Sequence, residues 1–265
     1  MIRTGLVSIT FRSLTPARVA ALAAEAGLEA IEWGGDIHVP HGDVAAAREV
    51  ARLTREAGLA VAAYGSYYRL AAGAEQAFDF DDVLSTALAL GAPSIRVWAG
   101  DRGSDGADEA WRARATADAR RIAEAAAREG VLVCLEYHAR TLTDTCDSAI
   151  RLLREADHPN LRTLWQPEVG GSPERLLEEL RRLAPWLEYV HAYHWEGRER
   201  HPFAEGEDVW RRYLNELSAL PGDRFALLEF VAEDDPARLA EDAAALKRFA
   251  SGAAGGHEAN DSALQ

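Results

Sequence analysis

The sequence predicts a closed (β/α)8 barrel of the TIM type, and three observations lead to that fold class. Ala-rich amphipathic segments alternate with β-branched apolar segments along the whole chain, which indicates a parallel sheet. A glycine recurs where helices would end, at Gly27, Gly58, Gly91 and Gly130. Eight strand–helix units in about 250 residues suit a closed barrel. The alternative is an open doubly wound sheet, whose Gly-rich phosphate turn after the first strand is missing from SITFRSLTP.

The individual strands are predicted from short apolar runs, each bounded by a helix end and a polar or Gly-containing turn. We expect them at 4–11, 30–34, 60–66, 94–99, 131–138, 161–166, 187–194 and 225–231. The helices between them are expected at 16–26, 44–57, 76–90, 108–129, 144–156, 173–184, 207–219 and 236–250. Three helix starts pair an N-cap residue with proline at the first helical position, namely Thr15-Pro16, Ser172-Pro173 and Asp235-Pro236.

These elements form one predicted barrel domain over residues 1–250. The remaining segment 251–265, SGAAGGHEANDSALQ, has a Gly/Ala/polar composition without periodicity, and we expect it to be disordered.

Composition and charge restrict the classes of partner. The chain has 265 residues, of which 48% are hydrophobic, and a formal net charge of −14. An acidic chain without a basic stripe repels nucleic acid and anionic membranes. The first residues do not resemble a signal peptide, no run of about twenty apolar residues occurs, and two cysteines are too few for a disulfide framework. We expect a cytoplasmic protein with no nucleic-acid or membrane partner.

Polar residues end five of the predicted strands, where the active site of such a barrel lies. They are Glu32, Glu136, Gln166, His191 and Glu229. A carboxylate flanked by apolar residues, such as Glu136 or Glu229, is costly to desolvate unless it is paired, protonated or bound to a cation. The last four residues together predict a divalent-metal site. The alternatives are a structural salt bridge from the glutamates to Arg96 or Arg162, and a Gln166 that merely bonds backbone at the rim.

Further residues near the strand ends are candidate substrate contacts. Aromatic walls at the mouth of a barrel suit a sugar or polyol. The candidates that lie in or next to the loops of the mouth are His38, His138, His194, Trp98 and Trp195. Ordinary loop or core positions are the alternative for each. Glu32 is either a substrate-binding residue of the site or a hydrogen-bond partner of a neighbouring strand. Glu168, two residues after Gln166, supplies an acid or contacts the substrate.

Four short motifs carry a resemblance to a known family. LEYH, WQP, VHAYHW and LLEF, in that order, resemble the sugar phosphate isomerase/epimerase family, which has the xylose isomerase-like barrel. The resemblance covers roughly residues 4–250 and implies one divalent ion, Mn, Mg or Co, at Glu136, position 166, His191 and Glu229, with the two glutamates as catalytic acid and base. The family's strand-six Asp is Gln166 here, and its substrate-binding His is Val169. Its substrate-binding Arg has an approximate counterpart in Arg198.

Three functional hypotheses follow. The first is a metal-dependent isomerase or epimerase of a small sugar, ketose or polyol-derived hydroxy-ketone, working by proton transfer through an enediolate. The second is a metal-dependent lyase that dehydrates a keto-polyol. The third is a non-catalytic, metabolite-binding barrel, suggested by the absent Asp and His. A DNA-repair nuclease is disfavoured, because it would need more His ligands and a basic groove. The expected partner is a small-molecule sugar or polyol, and homo-oligomerisation is left open.

Overall fold

Eight parallel strands close into a barrel in the computed structural model, which describes residues 1–73 and 76–254. Around the barrel each strand pairs with its neighbours in the chain, and the last strand pairs with the first. The barrel strands are β1 (Ile2–Val7), β2 (Ala30–Gly34), β3 (Ala60–Arg69), β4 (Ser94–Trp98), β5 (Leu132–Glu136), β6 (Leu161–Trp165), β7 (Leu187–Ala192) and β10 (Arg224–Leu228). A hairpin of β8 (Trp195–Glu196) and β9 (Glu199–Arg200) follows β7. The predicted fold class is confirmed.

A helix follows each barrel strand, as predicted. The helices are α1 (Pro16–Glu25), α2 (Val44–Glu56), α3 (Phe80–Leu90), α4 (Glu109–Arg128), α5 (Cys146–Ala156), α6 (Pro173–Leu183), α7 (Glu207–Ser218) and α8 (Leu239–Ala254). The predicted N-caps are confirmed at α1 and α6, whereas Asp235 caps a 3-10 turn over Pro236–Arg238 and α8 begins at Leu239 instead of 236. The four glycines after α1, α2, α3 and α4 have positive φ, and the side chains of Thr15, Ser172 and Asp235 accept backbone N–H bonds.

Several predicted boundaries are wrong by a turn. The first strand stops at Val7, and Ser8–Phe11 forms a 3-10 turn. The third helix begins at Phe80 rather than at 76, because the Asp79 side chain caps it by accepting from Asp82 N. The last helix, α8, runs to Ala254, past the helix end predicted at 250. The rest of the predicted tail, 255–265, lies outside the described residues.

Side chains fill the barrel interior in two layers. The deeper layer is apolar and includes Ala30, Cys134, Leu164, Tyr189 and Leu227. A polar residue lies two positions after each of these, on the same face of the barrel. These polar residues are Glu32, Glu136, Gln166, His191 and Glu229. Alternate strand residues such as Ile95 and Val97 pack outward against the helices. Within the described residues, no helix is long and apolar enough to cross a membrane.

Candidate active site

Five charged side chains form a continuous buried chain across the mouth of the barrel. Its order is Glu136, Arg96, Glu32, His191, Glu229, and it draws on β5, β4, β2, β7 and the residue after β10. All five are at most 6% exposed. Four of the five predicted strand-end residues are members, and the fifth, Gln166, contacts the chain at two points.

The imidazole of His191 lies between two carboxylates. Its Nε2 is 2.9 Å from Glu32 Oε2, and its Nδ1 is 3.4 Å from Glu229 Oε2. Burial alone would lower the pKa of His191, but the two glutamates outweigh it and raise this pKa to about 10. Burial would likewise raise the pKa of Glu32, but the positive charges of His191 and Arg96 lower it to about 2.

Arg96 links Glu32 to Glu136, the other end of the charge chain. Its Nε is 2.8 Å from Glu32 Oε1, and its guanidinium forms an ion pair with Glu136 Oε2. Burial disfavours the charged form, yet the two carboxylates raise the pKa of Arg96 well above its usual value. Of the two salt bridges weighed from the sequence, the one from Glu136 to Arg96 is therefore present. Arg162 instead faces Glu188 at 3.7 Å.

Gln166 makes the backbone contact at the barrel rim that was weighed against a role as metal ligand. Its Nε2 donates to the backbone oxygen of Tyr137 at 2.9 Å, which is the rim contact. Because a carbonyl can only accept, this bond fixes the amide orientation. The amide oxygen is then left facing His191 Nδ1 at 3.3 Å, and Nε2 also lies 3.4 Å from Glu136 Oε1.

Two pairs of donor atoms in this cluster have the spacing of neighbouring ligands on one divalent cation. Ligands about 2.1 Å from one ion lie about 3.0–3.4 Å from each other, and His191 Nδ1 is 3.3 Å from Gln166 Oε1 and 3.4 Å from Glu229 Oε2. Glu32 Oε2 pairs with His191 Nε2, which is how a carboxylate next to a metal site orients a metal-binding histidine. Among the described residues, no group of three or more His, Cys, Asp and Glu side chains has metal-site spacing. The third donor here is an amide, and Arg96 holds one oxygen of Glu136.

A cavity of about 220 Å³ lies above the charge chain. Glu136, Gln166 and Glu229 line its polar side, and Trp98, Trp195 and Phe230 line its apolar side. His138 lies at its edge, stacked on Trp98 with ring centroids 4.7 Å apart. The Nδ1 of His138 donates to the backbone oxygen of Ala139 at 2.7 Å, and its Nε2 has no hydrogen-bond partner among the described residues.

The structure brings only some predicted substrate contacts to this cavity. His138, Trp98 and Trp195 line it. Glu32 lies beneath it, fully buried, because Arg96 and His191 hold both of its oxygens. We therefore correct its predicted position from a substrate contact to a buried partner of the charge chain.

Four more predicted substrate contacts are not among the residues that line this cavity. His38 is held between Ser8 Oγ and the backbone oxygen of Leu14. Glu168 is exposed and pairs with Arg175 on α6, and it lines an adjoining cavity of about 560 Å³ together with Gln166 and His138. His194 faces a separate cavity of about 290 Å³ beside the hairpin. Arg198 is exposed on the hairpin turn.

Two arginines matter more than the sequence analysis suggested. Arg96 is recognisable in hindsight as a charge in the middle of the apolar strand SIRVW. Arg200, on β9, is the guanidinium that lies against the cavity wall, 4.2 Å from the Phe230 ring centroid and 5.0 Å from that of Trp195. Phe230 itself has a φ of +64°, which is rare for an aromatic residue and common near functional sites. No sequence signal indicated this conformation.

Comparisons with known proteins agree with the architecture. The model of the family described as xylose isomerase-like TIM barrel matches residues 20–249. A 3-dehydroshikimate dehydratase of Bacillus anthracis is 36% identical over 103 residues, which are 37% of this chain and 35% of that protein. The aligned part is thus about a third of the relative's length.

Solved structures resemble the whole chain. A probable 3-DHS dehydratase involved in petrobactin synthesis from Bacillus anthracis has a TM-score of 0.78 at 23% identity, covering 93% of this chain and 99% of that one. An L-ribulose 3-epimerase has a TM-score of 0.73 at 16% identity, covering 97% of both chains. At these identities the likeness shows the fold alone.

Proposed function

The chain belongs to the xylose isomerase-like TIM barrel family, and from that premise we propose that it is a divalent-metal-assisted lyase that dehydrates a hydroxy-ketone. One observation carries the proposal: two carboxylates, Glu136 and Glu229, line a single small cavity with aromatic walls. The dehydratase name of the 36% identical relative favours dehydration over the epimerisation that the sequence analysis placed first.

The reaction needs one base and one acid around a carbonyl compound. One carboxylate removes the proton from the carbon next to the carbonyl. The electron pair of that C–H bond first forms an enolate and then the C=C bond, while the hydroxyl on the next carbon leaves with a proton as water. Glu136 and Glu229 line the cavity and would serve these two steps. His138, with Nε2 free to accept, is a further proton-transfer group at the edge.

A divalent cation held by Glu136, Gln166, His191 and Glu229 would supply Lewis-acid stabilisation of the negative charge that develops on the carbonyl oxygen. Oxygen and imidazole donors without thiolate favour Mn, Mg or Co. Other side chains enclose the substrate and orient the ligands. Trp98 and Trp195 enclose the substrate, and Gln166 keeps its amide oxygen toward His191 by bonding the backbone of Tyr137.

Isomerisation or epimerisation is the second candidate, because it begins with the same deprotonation. The fold-level likeness to L-ribulose 3-epimerase supports it. The two reactions differ in what becomes of the enolate: a dehydratase expels the neighbouring hydroxyl, and an epimerase returns a proton to the carbon.

Product analysis tests the proposal. The protein, supplied with Mn²⁺, is incubated in deuterated water with 3-dehydroshikimate, the substrate in the relative's name, and with a panel of ketoses. We expect mass spectrometry to find a product that has lost one water from a hydroxy-ketone. Deuterium incorporation into a ketose without loss of water would favour the epimerase. No reaction with any member of the panel would count against both enzymes and favour a metabolite-binding barrel.

A further inference from the structure

Arg96 joins Glu136 to Glu32 in the charge chain, and the proton transfers of the proposed reaction do not by themselves explain its presence there. The residue is 2% exposed, and its side chain points into the barrel from β4. Replacing a buried ion pair by apolar residues of similar volume is often neutral or stabilising. Stability is therefore a weak reason for placing a guanidinium at this depth.

The surrounding strands leave a shaped space for this guanidinium. A methyl group at Gly65, on β3, would lie 2.5 Å from Arg96 Nη2 and 2.8 Å from Glu32 Oε1. Any side chain at position 65 would therefore displace the pair. The ring of Tyr67 covers the guanidinium at 4.5 Å from its centroid, and Tyr67 has a φ of +56°. Such a conformation is costly for an aromatic residue and persists only where its surroundings enforce it.

The two contacts of Arg96 give different roles to the oxygens of each glutamate. Glu136 uses Oε2 for Arg96, so Oε1 remains for Gln166 and the cavity. Glu32 uses Oε1 for Arg96 and Oε2 for His191 Nε2. One rigid, planar guanidinium therefore fixes both a cavity-lining carboxylate and the acid that orients the imidazole.

We propose that Arg96 is a positioning residue of the reaction: it presents Glu136 Oε1 to the substrate and, through Glu32, turns His191 Nδ1 toward Glu229 and Gln166. This assignment rests on the proposed function for its catalytic consequence, whereas the orientation of the ring is a property of the protein alone. A lysine at position 96 would keep the charge but lose the planar fork that reaches two carboxylates at once.

Arg112 offers a matched control elsewhere in the chain. It is also buried, at 5% exposure, but it lies on α4, where its guanidinium donates to Ser148 Oγ on α5 at 2.6 Å. Arg112→Lys therefore tests what the loss of a buried guanidinium does outside the cavity. Thermal unfolding of each variant is recorded first, so that turnover is compared only between folded proteins.

The kinetic arm compares Arg96→Lys and Arg112→Lys with Mn²⁺ present and the hydroxy-ketone that the wild type dehydrates. We expect Arg96→Lys to lower kcat about 10- to 100-fold, as for other partners that orient a site, with KM nearly unchanged, since the lost interaction acts on the reacting groups. Arg112→Lys should keep the wild-type kcat. Equal kcat values for the two variants would overturn the positioning role.

A second arm does not depend on turnover. In protein with ¹⁵N-labelled histidine and bound Mg²⁺, we expect Arg96→Lys and Glu32→Gln to shift the ring-nitrogen resonances of His191, and Arg112→Lys to leave them in place. Unchanged resonances in both variants would overturn the proposal even if kcat fell. If the resonances shift while the wild type dehydrates no substrate, the proposed reaction fails and the orienting role of Arg96 stands.

Discussion

Two layers of side chains fill the barrel, and they differ in chemistry although the same strands supply them. The deeper layer holds apolar residues such as Cys134 and Leu227. Two residues further along the chain, in the upper layer, stand Glu136 and Glu229. Burial stabilises the deeper layer directly, whereas each group in the upper layer needs a partner of opposite charge or a hydrogen bond. The strands therefore position both layers, but only the upper layer carries the polar groups that the proposed reaction needs.

The comparison is tested most strongly by removing the charge of a cavity-lining carboxylate. We expect Glu136→Gln and Glu229→Gln each to lower kcat about 10²- to 10⁴-fold, because each substitution keeps the volume and removes a proton-transfer group. Steady-state kinetics on the dehydrated hydroxy-ketone measures the loss, and circular dichroism checks the fold. A variant that retains most of its kcat would reduce that carboxylate to a structural partner of Arg96 or His191.

The fold was the part most open to prediction from sequence. Helix-ending glycines such as Gly91, and the alternation of apolar strands with amphipathic helices, are local signals that the structure confirms. Strand-end polarity also placed Glu136, Gln166, His191 and Glu229 in one cluster, because carboxyl ends of parallel strands meet in a barrel.

Pairing within the cluster was less predictable. The charge chain depends on which side chains on different strands meet, and Glu32 and His191 are 159 positions apart in sequence. The local contacts of loop side chains were also not predicted: His38 bonds the backbone oxygen of Leu14, and Glu168 pairs with Arg175. Phe230 adopts a positive φ although it is not a glycine, so no residue type in the sequence indicated this conformation.

The charged upper layer, unlike the apolar deeper layer, should make the free energy of unfolding depend on pH. In the metal-free protein, the pKa of His191 is raised from 6.5 to about 10. Its contribution to the free energy of unfolding is then complete below pH 6.5 and is lost as the pH rises toward 10. Glu32, lowered from 4.5 to about 2, contributes fully above pH 4.5 and loses this contribution as the pH falls toward 2.

Urea unfolding with a chelator over this pH range should show a loss of a few kcal/mol on the alkaline side. Glu32→Gln should reduce the alkaline slope, because one of the two carboxylates that raise the pKa of His191 is then neutral. A wild-type curve as flat as that of Glu32→Gln between neutral pH and pH 10 would contradict the charge chain.

Metal affinity gives a smaller effect at a single position of the upper layer. Gln166→Asp adds a negative charge to the donor set and should tighten Mn²⁺ binding about tenfold, and Gln166→Ala should weaken it about as much. Isothermal titration calorimetry measures both. Glu168→Gln is the matched control, because Glu168 pairs with Arg175 outside the cluster and should leave the affinity unchanged. If both Gln166 variants bind Mn²⁺ like the wild type, the glutamine is not a ligand.

The smallest effect is expected in the deeper layer, at Cys134. This residue has no exposed surface, and burial raises the pKa of its thiol well above the usual value, so the sulfur stays protonated and unreactive. Cys134→Ala removes one heavy atom from the apolar layer and should cost about 1 kcal/mol of unfolding free energy. Its kcat should equal that of the wild type, because Glu136, two residues away, keeps its contact with Arg96. A large fall in kcat with little loss of stability would mean that the deeper layer also positions the catalytic groups.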